Sequence, residues 1–266
     1  MKVDLGRISA YLICLYILFP ILIVASTSFT STPYVTFPPK GFSLEWFVKV
    51  LRDTKILNSM LVSFVLASIT SVVSSILGLL GAIAIVRYRF RGRDLLNSLF
   101  LAPVLAPMIV LGVGLLFFFT DIGLIGTLPG LVLGHTVIAF PYVLRTVSVS
   151  LSGVDRTLEK SAMSLGASEF RTFLQITLPL IRSGILAGFL FCFMTSFNNV
   201  SISLFLAGPK LPTLPLTIFY NTQLYFDPTT SAVSTIILII TLVIMLGLER
   251  TLGLYRLLEK AKAISQ

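Results

Sequence analysis

Long apolar segments alternate with short polar ones along the whole chain. A transmembrane helix needs about 20 mostly apolar residues, and six segments are close to that length or longer. They are residues 8–28, 58–86, 95–119, 127–144, 183–206 and 231–248. The pattern predicts an all-α integral membrane protein with six transmembrane helices, forming a single domain over residues 1–266.

The composition agrees with a membrane protein. The chain is 56% hydrophobic and 12% charged, with a mean hydropathy of +0.98, whereas a soluble domain is about 45–50% apolar. Its net charge is +9. In membrane proteins such an excess arises because Lys and Arg collect on cytoplasmic segments. The charge therefore indicates orientation, and it does not call for a nucleic-acid partner.

The positions of the positive charges predict which side of the membrane each segment faces. An even number of spans places both termini on one side. On that side lie all of the 20 Lys and Arg residues except Lys40, Lys49, Arg52, Lys55 and Lys210. We therefore expect both termini in the cytoplasm, an outer loop at about residues 29–57 and a cytoplasmic loop at about residues 150–182.

Helix-breaking and small residues fall inside several predicted spans. The prolines are Pro103 and Pro107 in the third span, and Pro129 and Pro141 in the fourth. The first pair predicts a kink near the cytoplasmic end, and the second pair interrupts its span. Glycines recur at four-residue spacing at Gly126, Gly130 and Gly134, and again at Gly184 and Gly188. Such spacing lets helices approach closely, within this chain or, alternatively, at a subunit interface.

Charged side chains are missing from the middle of all six predicted spans. Ion-coupled transporters generally place ionisable groups at membrane depth, so this absence weighs against a self-powered transporter. His135 is the one titratable side chain at depth, and we expect it to pack between helices and donate to a backbone carbonyl. Cys14 and Cys192 fall in apolar runs as small hydrophobes. No metal cluster, nucleophile or carboxylate pair supports a membrane-embedded enzyme.

The outer loop ends in the sequence GFSLEWFVKVLRD. Ser43 is a candidate N-cap of a short helix. The expected apolar stripe of this helix is Leu44, Phe47, Val48 and Leu51, at helical spacing. We expect the helix at the outer interface with Trp46 near headgroup depth; docking of an external partner is the alternative.

The cytoplasmic loop carries a regular pattern of two short helices. Leu158, Ala162 and Leu165 share one helical face, and Gly166 ends that helix as glycine does at C′ positions. Ser168 can cap a second helix, whose apolar stripe is Phe170, Phe173, Leu174 and Thr177. Leu178 before Pro179 is expected to end it. Two such helices would form a compact protrusion that can insert into another protein.

The segment KSAMSLGASEFRTFLQITLP resembles a motif of the permease subunits of ABC importers that work with an external binding protein. Those permeases carry EAA, three residues, G, nine residues, I, one residue and LP. The corresponding positions are Lys160, Ser161, Ala162, Gly166, Ile176, Leu178 and Pro179. Lys160 stands where the family has Glu, and Ser161 where it has Ala. Glu159, immediately before, is the candidate to supply the acidic contact.

The resemblance extends over nearly the whole chain. LGHTVIAFPYVLRTVSVSLSGVDRTLEKSAMSLGAS and SFNNVSISLFLAGPKLPTLPLTIFYNTQLYFDPTTSAVSTI are similar to the polyamine-type (spermidine/putrescine-like) branch of these permeases. After Phe197 that branch commonly has one or two acidic residues, and this chain has Asn198 and Asn199. The resemblance implies a single transmembrane permease domain with the type I ABC importer (methionine-importer-like) fold and cytoplasmic coupling helices.

It also implies a division of labour in the inner membrane of a bacterial cell. A pair of cytoplasmic ATPase subunits would receive the coupling loop, a second permease, related or identical, would complete the pathway, and an external solute-binding protein would deliver a small polar solute. The chain has no G-x-x-x-x-G-K-[ST] phosphate loop. We therefore expect no cofactor in this chain, ATP hydrolysis in a separate subunit, and membrane lipid but no nucleic acid among its partners.

Two sets of site residues follow from the resemblance and the pattern. The set expected to dock the ATPase is Glu159, Lys160, Ser161, Ala162, Gly166, Ile176, Leu178 and Pro179. The set expected along the substrate pathway is Asn198, Asn199, Ser201 and Ser203. Asn within a bilayer helix must find hydrogen-bond partners, and interhelical bonding without cargo contact is the alternative. For the protein as a whole, the alternative is a stand-alone secondary transporter or channel.

Overall fold

A computed structural model describes residues 5–224 and 227–252, and this part of the chain is built from α-helices. The helices are α1 (Leu5–Thr27), α2 (Glu45–Arg52), α3 (Thr54–Arg87), α4 (Arg93–Leu105), α5 (Met108–Asp121), α6 (Leu128–Ser152), α7 (Arg156–Ser164), α8 (Glu169–Thr172), α9 (Leu178–Phe197), α10 (Ser201–Leu206), α11 (Leu214–Leu224) and α12 (Thr229–Leu252). A π-helical turn, Phe173–Thr177, joins α8 to α9.

Within the described residues, four helices are long and apolar enough to cross a membrane: α1, α3, α6 and the continuous helix Glu169–Phe197. The bent pair of α4 and α5 would make a fifth span. Helices α1 and α3 confirm the first two predicted spans. Helix α12 covers the predicted sixth span, although its apolar described part, Thr229–Val243, is shorter than the others.

The third predicted span is broken and not merely kinked. Helices α4 and α5 meet at an angle of 106°. Ala106, at the break, has extended backbone angles (φ −79°, ψ 141°), as expected for a residue that precedes a proline. Pro107 then leads into α5, whereas Pro103 is accommodated inside α4.

The fourth and fifth predicted spans have different ends from those expected. Pro129 begins α6 instead of interrupting it, because it lies in the first turn, where the missing N–H has no helical partner. Thr127 caps this turn by accepting a hydrogen bond from the Gly130 N–H at 3.2 Å. Pro141 lies within α6, which continues to Ser152. The fifth span ends at Phe197, and residues 198–200 separate it from α10.

The chain divides into two compact units, Asn58–Leu216 and Met1–Leu57 with Thr217–Gln266. In the unit Asn58–Leu216, α6 packs along α9 around buried apolar side chains that include Val143, Val147, Leu151 and Ile181. Gly188 lies against Val143 and Thr146 of α6. The four-residue glycine spacing in α9 therefore serves packing within this chain.

In the unit Met1–Leu57 with Thr217–Gln266, α12 packs against α1 and α2. The Trp46 Nε1 donates to the Thr30 carbonyl at 2.8 Å, and Lys49 pairs with Asp227 at 2.6 Å. The short helix predicted after Ser43 is confirmed as α2, but its N-cap is Leu44 and not Ser43. Ser43 Oγ accepts from the Glu45 N–H at 3.1 Å, one residue before the N-cap position.

The side of α2 that packs against the protein is not the predicted apolar stripe. Trp46 and Val50 are buried, whereas Leu44, Val48 and Leu51 are exposed. Trp46 can turn inward because its ring is apolar and its one polar group has a carbonyl partner.

Candidate functional site

The segment after α6 begins with a capped helix. Asp155 accepts a hydrogen bond from the Thr157 N–H at 2.9 Å, which begins α7. This backbone N–H lowers the pKa of the Asp155 carboxyl, because it stabilises the charged form. Helix α7 corresponds to the first of the two short helices predicted for the loop.

Gly166 ends α7 as the sequence predicts. Its φ is +92°, in the left-handed region that favours glycine. The Gly166 N–H donates to the Met163 carbonyl at 3.0 Å, and the Ala167 N–H donates to the Ala162 carbonyl at 3.1 Å. These bonds satisfy carbonyls at the end of the helix and turn the chain sharply before Ser168.

The second helix begins as predicted but does not end before Pro179. Ser168 Oγ accepts from the Arg171 N–H at 3.3 Å, and the chain then continues through α8 and the π-helical turn into α9 without a break. Pro179 lies two residues after the π-helical turn, and this local change in the hydrogen-bond pattern lets the helix continue past a residue without an N–H. The second element of the loop is thus the N-terminal part of the long helix Glu169–Phe197.

The tip of the loop exposes apolar side chains. Leu165 is 90% exposed and Phe170 is 72% exposed. Of the predicted docking set, Lys160, Ser161, Gly166 and Pro179 are exposed, and Ala162, Ile176 and Leu178 are half-buried. Apolar side chains beside small and charged ones at a protruding tip are typical of a protein interface.

Glu159 differs from the rest of that set because it faces the protein's own helices. Its Oε1 accepts from Arg87 Nη2 at 2.7 Å and from Thr177 Oγ1 at 2.7 Å. The Glu159 side chain is 16% exposed and that of Arg87 is 14% exposed. Nearby, Arg156 Nη2 donates to the Val86 and Arg87 carbonyls at 3.3 and 3.0 Å. The sequence does not reveal Arg87 and Thr177 as partners, because they are 72 and 18 residues away from Glu159.

The predicted pathway residues lie around the break between α9 and α10. Asn198 is exposed at the C-terminal end of α9. Asn199 Oδ1 accepts from the Ile202 N–H at 2.7 Å, so this side chain stabilises the first turn of α10. Ser201 is half-buried, and Ser203 is fully buried. Of the four predicted pathway residues, Asn198 is thus the exposed one, whereas Ser203 lies in the protein interior.

His135 connects the two sides of this break. The buried imidazole lies between Ser196 Oγ, 2.9 Å from Nδ1, and Ser203 Oγ, 3.2 Å from Nε2. A backbone hydrogen bond to Ser196 is also present, as expected from the sequence, and the two hydroxyl groups are further partners that the sequence does not indicate. Ser196 belongs to α9 and Ser203 to α10. The histidine thus holds the end of one helix to the next and fixes the segment that carries Asn198.

We expect His135→Ala to lower the thermal stability of the detergent-solubilised protein, by about 2–3 kcal/mol, because two buried hydroxyls lose a partner. Ser152→Ala on the same helix is the control, since that exposed hydroxyl bonds, among the described residues, to the Ser148 carbonyl alone, at 2.8 Å. Temperature-dependent loss of monodisperse protein measures both. Equal losses for the two variants would contradict the linking role of His135.

Comparison with known proteins identifies similar chains. The family model described as binding-protein-dependent transport system inner membrane component matches residues 74–262. The spermidine/putrescine transport system permease protein PotC of Haemophilus influenzae is 31% identical over 235 residues, which are 88% of this chain and 91% of that protein. The putrescine transport system permease protein PotI of Escherichia coli K12 is 31% identical over 226 residues, covering 82% and 80% of the two chains.

A solved structure shares the fold. It is the crystal structure of a bacterial alginate ABC transporter in complex with alginate pentasaccharide-bound periplasmic protein. The TM-score is 0.70 with 15% identity, over 92% of this chain and 93% of the other.

Proposed function

This chain belongs to the inner-membrane components of binding-protein-dependent transport systems and is a translocation subunit of an ABC importer; we propose that its cargo is a small polar solute, a polyamine or related organic compound. The observation that carries this proposal is the 31% identity to a spermidine/putrescine permease over 88% of the chain. An external binding protein would deliver the solute. No comparison favours a stand-alone transporter or channel.

We further propose the assembly in which the subunit works. A second permease, related or identical, completes the pathway, and six spans place both termini in the cytoplasm of a bacterial cell. Two ATPase subunits dock on the loop at about residues 150–182 and hydrolyse ATP, so this chain needs no cofactor. The exposed Leu165 and Phe170 at the tip support the docking, because an ATPase surface would cover these side chains.

The test of the cargo uses the complete importer in liposomes, with its binding protein outside and ATP inside. Labelled spermidine and putrescine are offered one at a time. We expect uptake that needs both ATP and the binding protein, together with stimulated ATP hydrolysis. Failure of both amines to bind or to stimulate hydrolysis would refute the polyamine proposal. Uptake by this chain without any ATPase would instead support the stand-alone alternative.

Asn198 provides a test of the pathway. Because Asn198 is exposed at the end of α9, Asn198→Asp places a carboxylate where a cationic solute can meet it. We expect uptake of spermidine at limiting concentration to rise about two- to fivefold, the size of a partly exposed ion pair. Asn198→Leu should reduce uptake. If neither variant changes uptake although the importer assembles, Asn198 does not contact the cargo.

A further inference from the structure

Helix α7 has polar contacts to α3 and to the π-helical turn and no fully buried apolar side chain. The structure describes all of its residues, and none of them is buried. Its Glu159 and Arg156 are three residues apart, so they lie on one face of the helix. Glu159 bonds to Arg87 and Thr177, and Arg156 bonds to the last carbonyls of α3. These contacts therefore join one face of α7 to α3 and to the start of α9.

The contacts of Glu159 join three elements at a single oxygen atom. Arg87 is the last residue of α3, and Thr177 is the last residue of the π-helical turn that leads into α9. Both donate to Glu159 Oε1 at 2.7 Å. Thr177 is 4% exposed. Because the pair of Arg87 and Glu159 is largely shielded from water, its attraction is screened less than that of a surface ion pair.

We propose that Arg87, Glu159 and Thr177 form a clamp that transmits movement of α7 to α3 and α9. Glu159 is then a positioning residue inside the permease and not an acidic contact with the ATPase. This inference rests on the proposed docking of ATPase subunits at the loop. When a docked ATPase moves α7, the clamp moves the cytoplasmic end of α3 with it, although the loop lies in sequence between α6 and α9.

The clamp gives Glu159 a role that differs from that of its neighbour Lys160. A carboxylate that accepts two hydrogen bonds from its own chain has little freedom to turn toward a partner. Lys160, the next residue, is exposed and remains available to the ATPase. The loop thus separates two tasks on adjacent residues: Glu159 faces inward to transmit movement, and Lys160 faces outward.

The experiment uses three variants of the complete importer. Two are the single changes Glu159→Gln and Arg87→Gln, and the third is a double variant that exchanges the two residues, Arg87→Glu together with Glu159→Arg. Three quantities are measured: ATPase subunits retained on purification, ATP hydrolysis with loaded binding protein, and solute taken up per ATP. We expect both single variants to retain the ATPase subunits but to lose about tenfold in uptake per ATP. The exchanged pair should recover a large part of that loss, because it restores the attraction with reversed direction.

Asp94→Asn is the matched control, because it makes the same change from carboxylate to amide at an exposed residue of α4, outside the loop at residues 150–182. Its uptake per ATP should stay within about twofold of the wild type. Release of the ATPase subunits by Glu159→Gln would show that Glu159 is a docking residue and would overturn the clamp. Unchanged uptake per ATP in the single variants would overturn it as well, as would an exchanged pair that performs no better than either single variant.

Two further variants distinguish a failure of the clamp from a failure of the docking proposal. If the charge variants do not fold, Thr177→Val decides: it removes one hydrogen bond and keeps the shape, and unchanged uptake per ATP would refute the clamp. Leu165→Asp tests the docking itself, since it places a charge at the exposed apolar tip. If Leu165→Asp leaves the ATPase bound, the docking proposal fails. If it releases the ATPase while Glu159→Gln has no effect on coupling, only the clamp fails.

Discussion

Replacing Gly166 with valine is expected to abolish ATP-dependent uptake while leaving the protein in the membrane. Gly166 has a φ of +92°, a conformation that a β-branched residue adopts only with about 1–3 kcal/mol of strain. The described part of the chain has no atom that would clash with a new Cβ there. The strain is therefore relieved by a change of backbone angles, which moves α7 relative to α8.

The loss should appear as failure of the ATPase subunits to bind. The exposed side chains of Leu165 and Phe170 lie on opposite sides of Gly166 in the sequence, so a changed backbone angle separates or rotates them. A displacement that costs about 1.4 kcal/mol of docking free energy lowers ATPase affinity tenfold. We expect at least that loss in the amount of ATPase that copurifies, and a corresponding loss of binding-protein-stimulated ATP hydrolysis.

Gly92 offers a matched control for the backbone strain. Its φ is +85°, and among the described residues no atom lies within 4 Å of the position that a Cβ would occupy. Gly92→Val therefore imposes a similar strain outside the coupling loop, and it should leave ATPase binding intact. Gly166→Asn should retain most activity, because Asn tolerates the left-handed conformation. Normal uptake in Gly166→Val would contradict the docking of the ATPase at this loop.

The parts of the fold that could be predicted depend on local sequence. The C-terminal end of α7 follows from Gly166, and the N-terminal end of α8 follows from Ser168. The effects of both residues act within a few residues. The spans formed by α1 and α3 follow from long apolar stretches. In each case the information lies in the element or within two residues of its end, so the pattern is sufficient.

The breaks in the membrane helices could not be placed from hydropathy. Residues 198–200 and Ala106 lie inside apolar stretches, and an average over a window of about 19 residues does not register a local change of backbone angles. At Pro179 the sequence predicts a break that the structure does not have. The second helix of the loop is predicted to end before Pro179, but the π-helical turn that precedes this proline lets the helix continue. Backbone geometry over a few residues decides these features.

The direction of side chains depends on partners far away in the sequence. Glu159 faces inward because Arg87, 72 residues away, is close to it in the fold. Trp46 turns inward because the Thr30 carbonyl is available to its Nε1. Periodicity predicts that such residues share a face of a helix, but not which face meets the protein. The local pattern therefore predicts the helices of the candidate site, but not the direction of its acidic side chain.

Replacing Gly188 with leucine is expected to prevent stable packing of α6 against α9. A Cβ at this position would lie 2.9 Å from the Cα of Val143 and 2.5 Å from Thr146 Oγ1. The neighbour at Val143 is backbone, so no side-chain rotation can make room and the helices must separate. Overpacking of this kind costs about 1–3 kcal/mol or more. We expect the fraction of monodisperse protein in mild detergent to fall at least tenfold, about 1.4 kcal/mol in free energy.

Gly114→Leu is the matched control, because Gly114 is also in the middle of a membrane helix, and among the described residues no atom lies within 4 Å of its added Cβ. This variant should be as stable as the wild type or slightly more so, because leucine favours the helix over glycine by about 0.5–1 kcal/mol. The smaller change Gly188→Ala should have an intermediate effect, since even one methyl group meets the Val143 backbone. If Gly188→Leu were as stable as Gly114→Leu, α6 and α9 would not approach as closely as the structure shows, and the glycine spacing in α9 would have to serve a contact with another subunit.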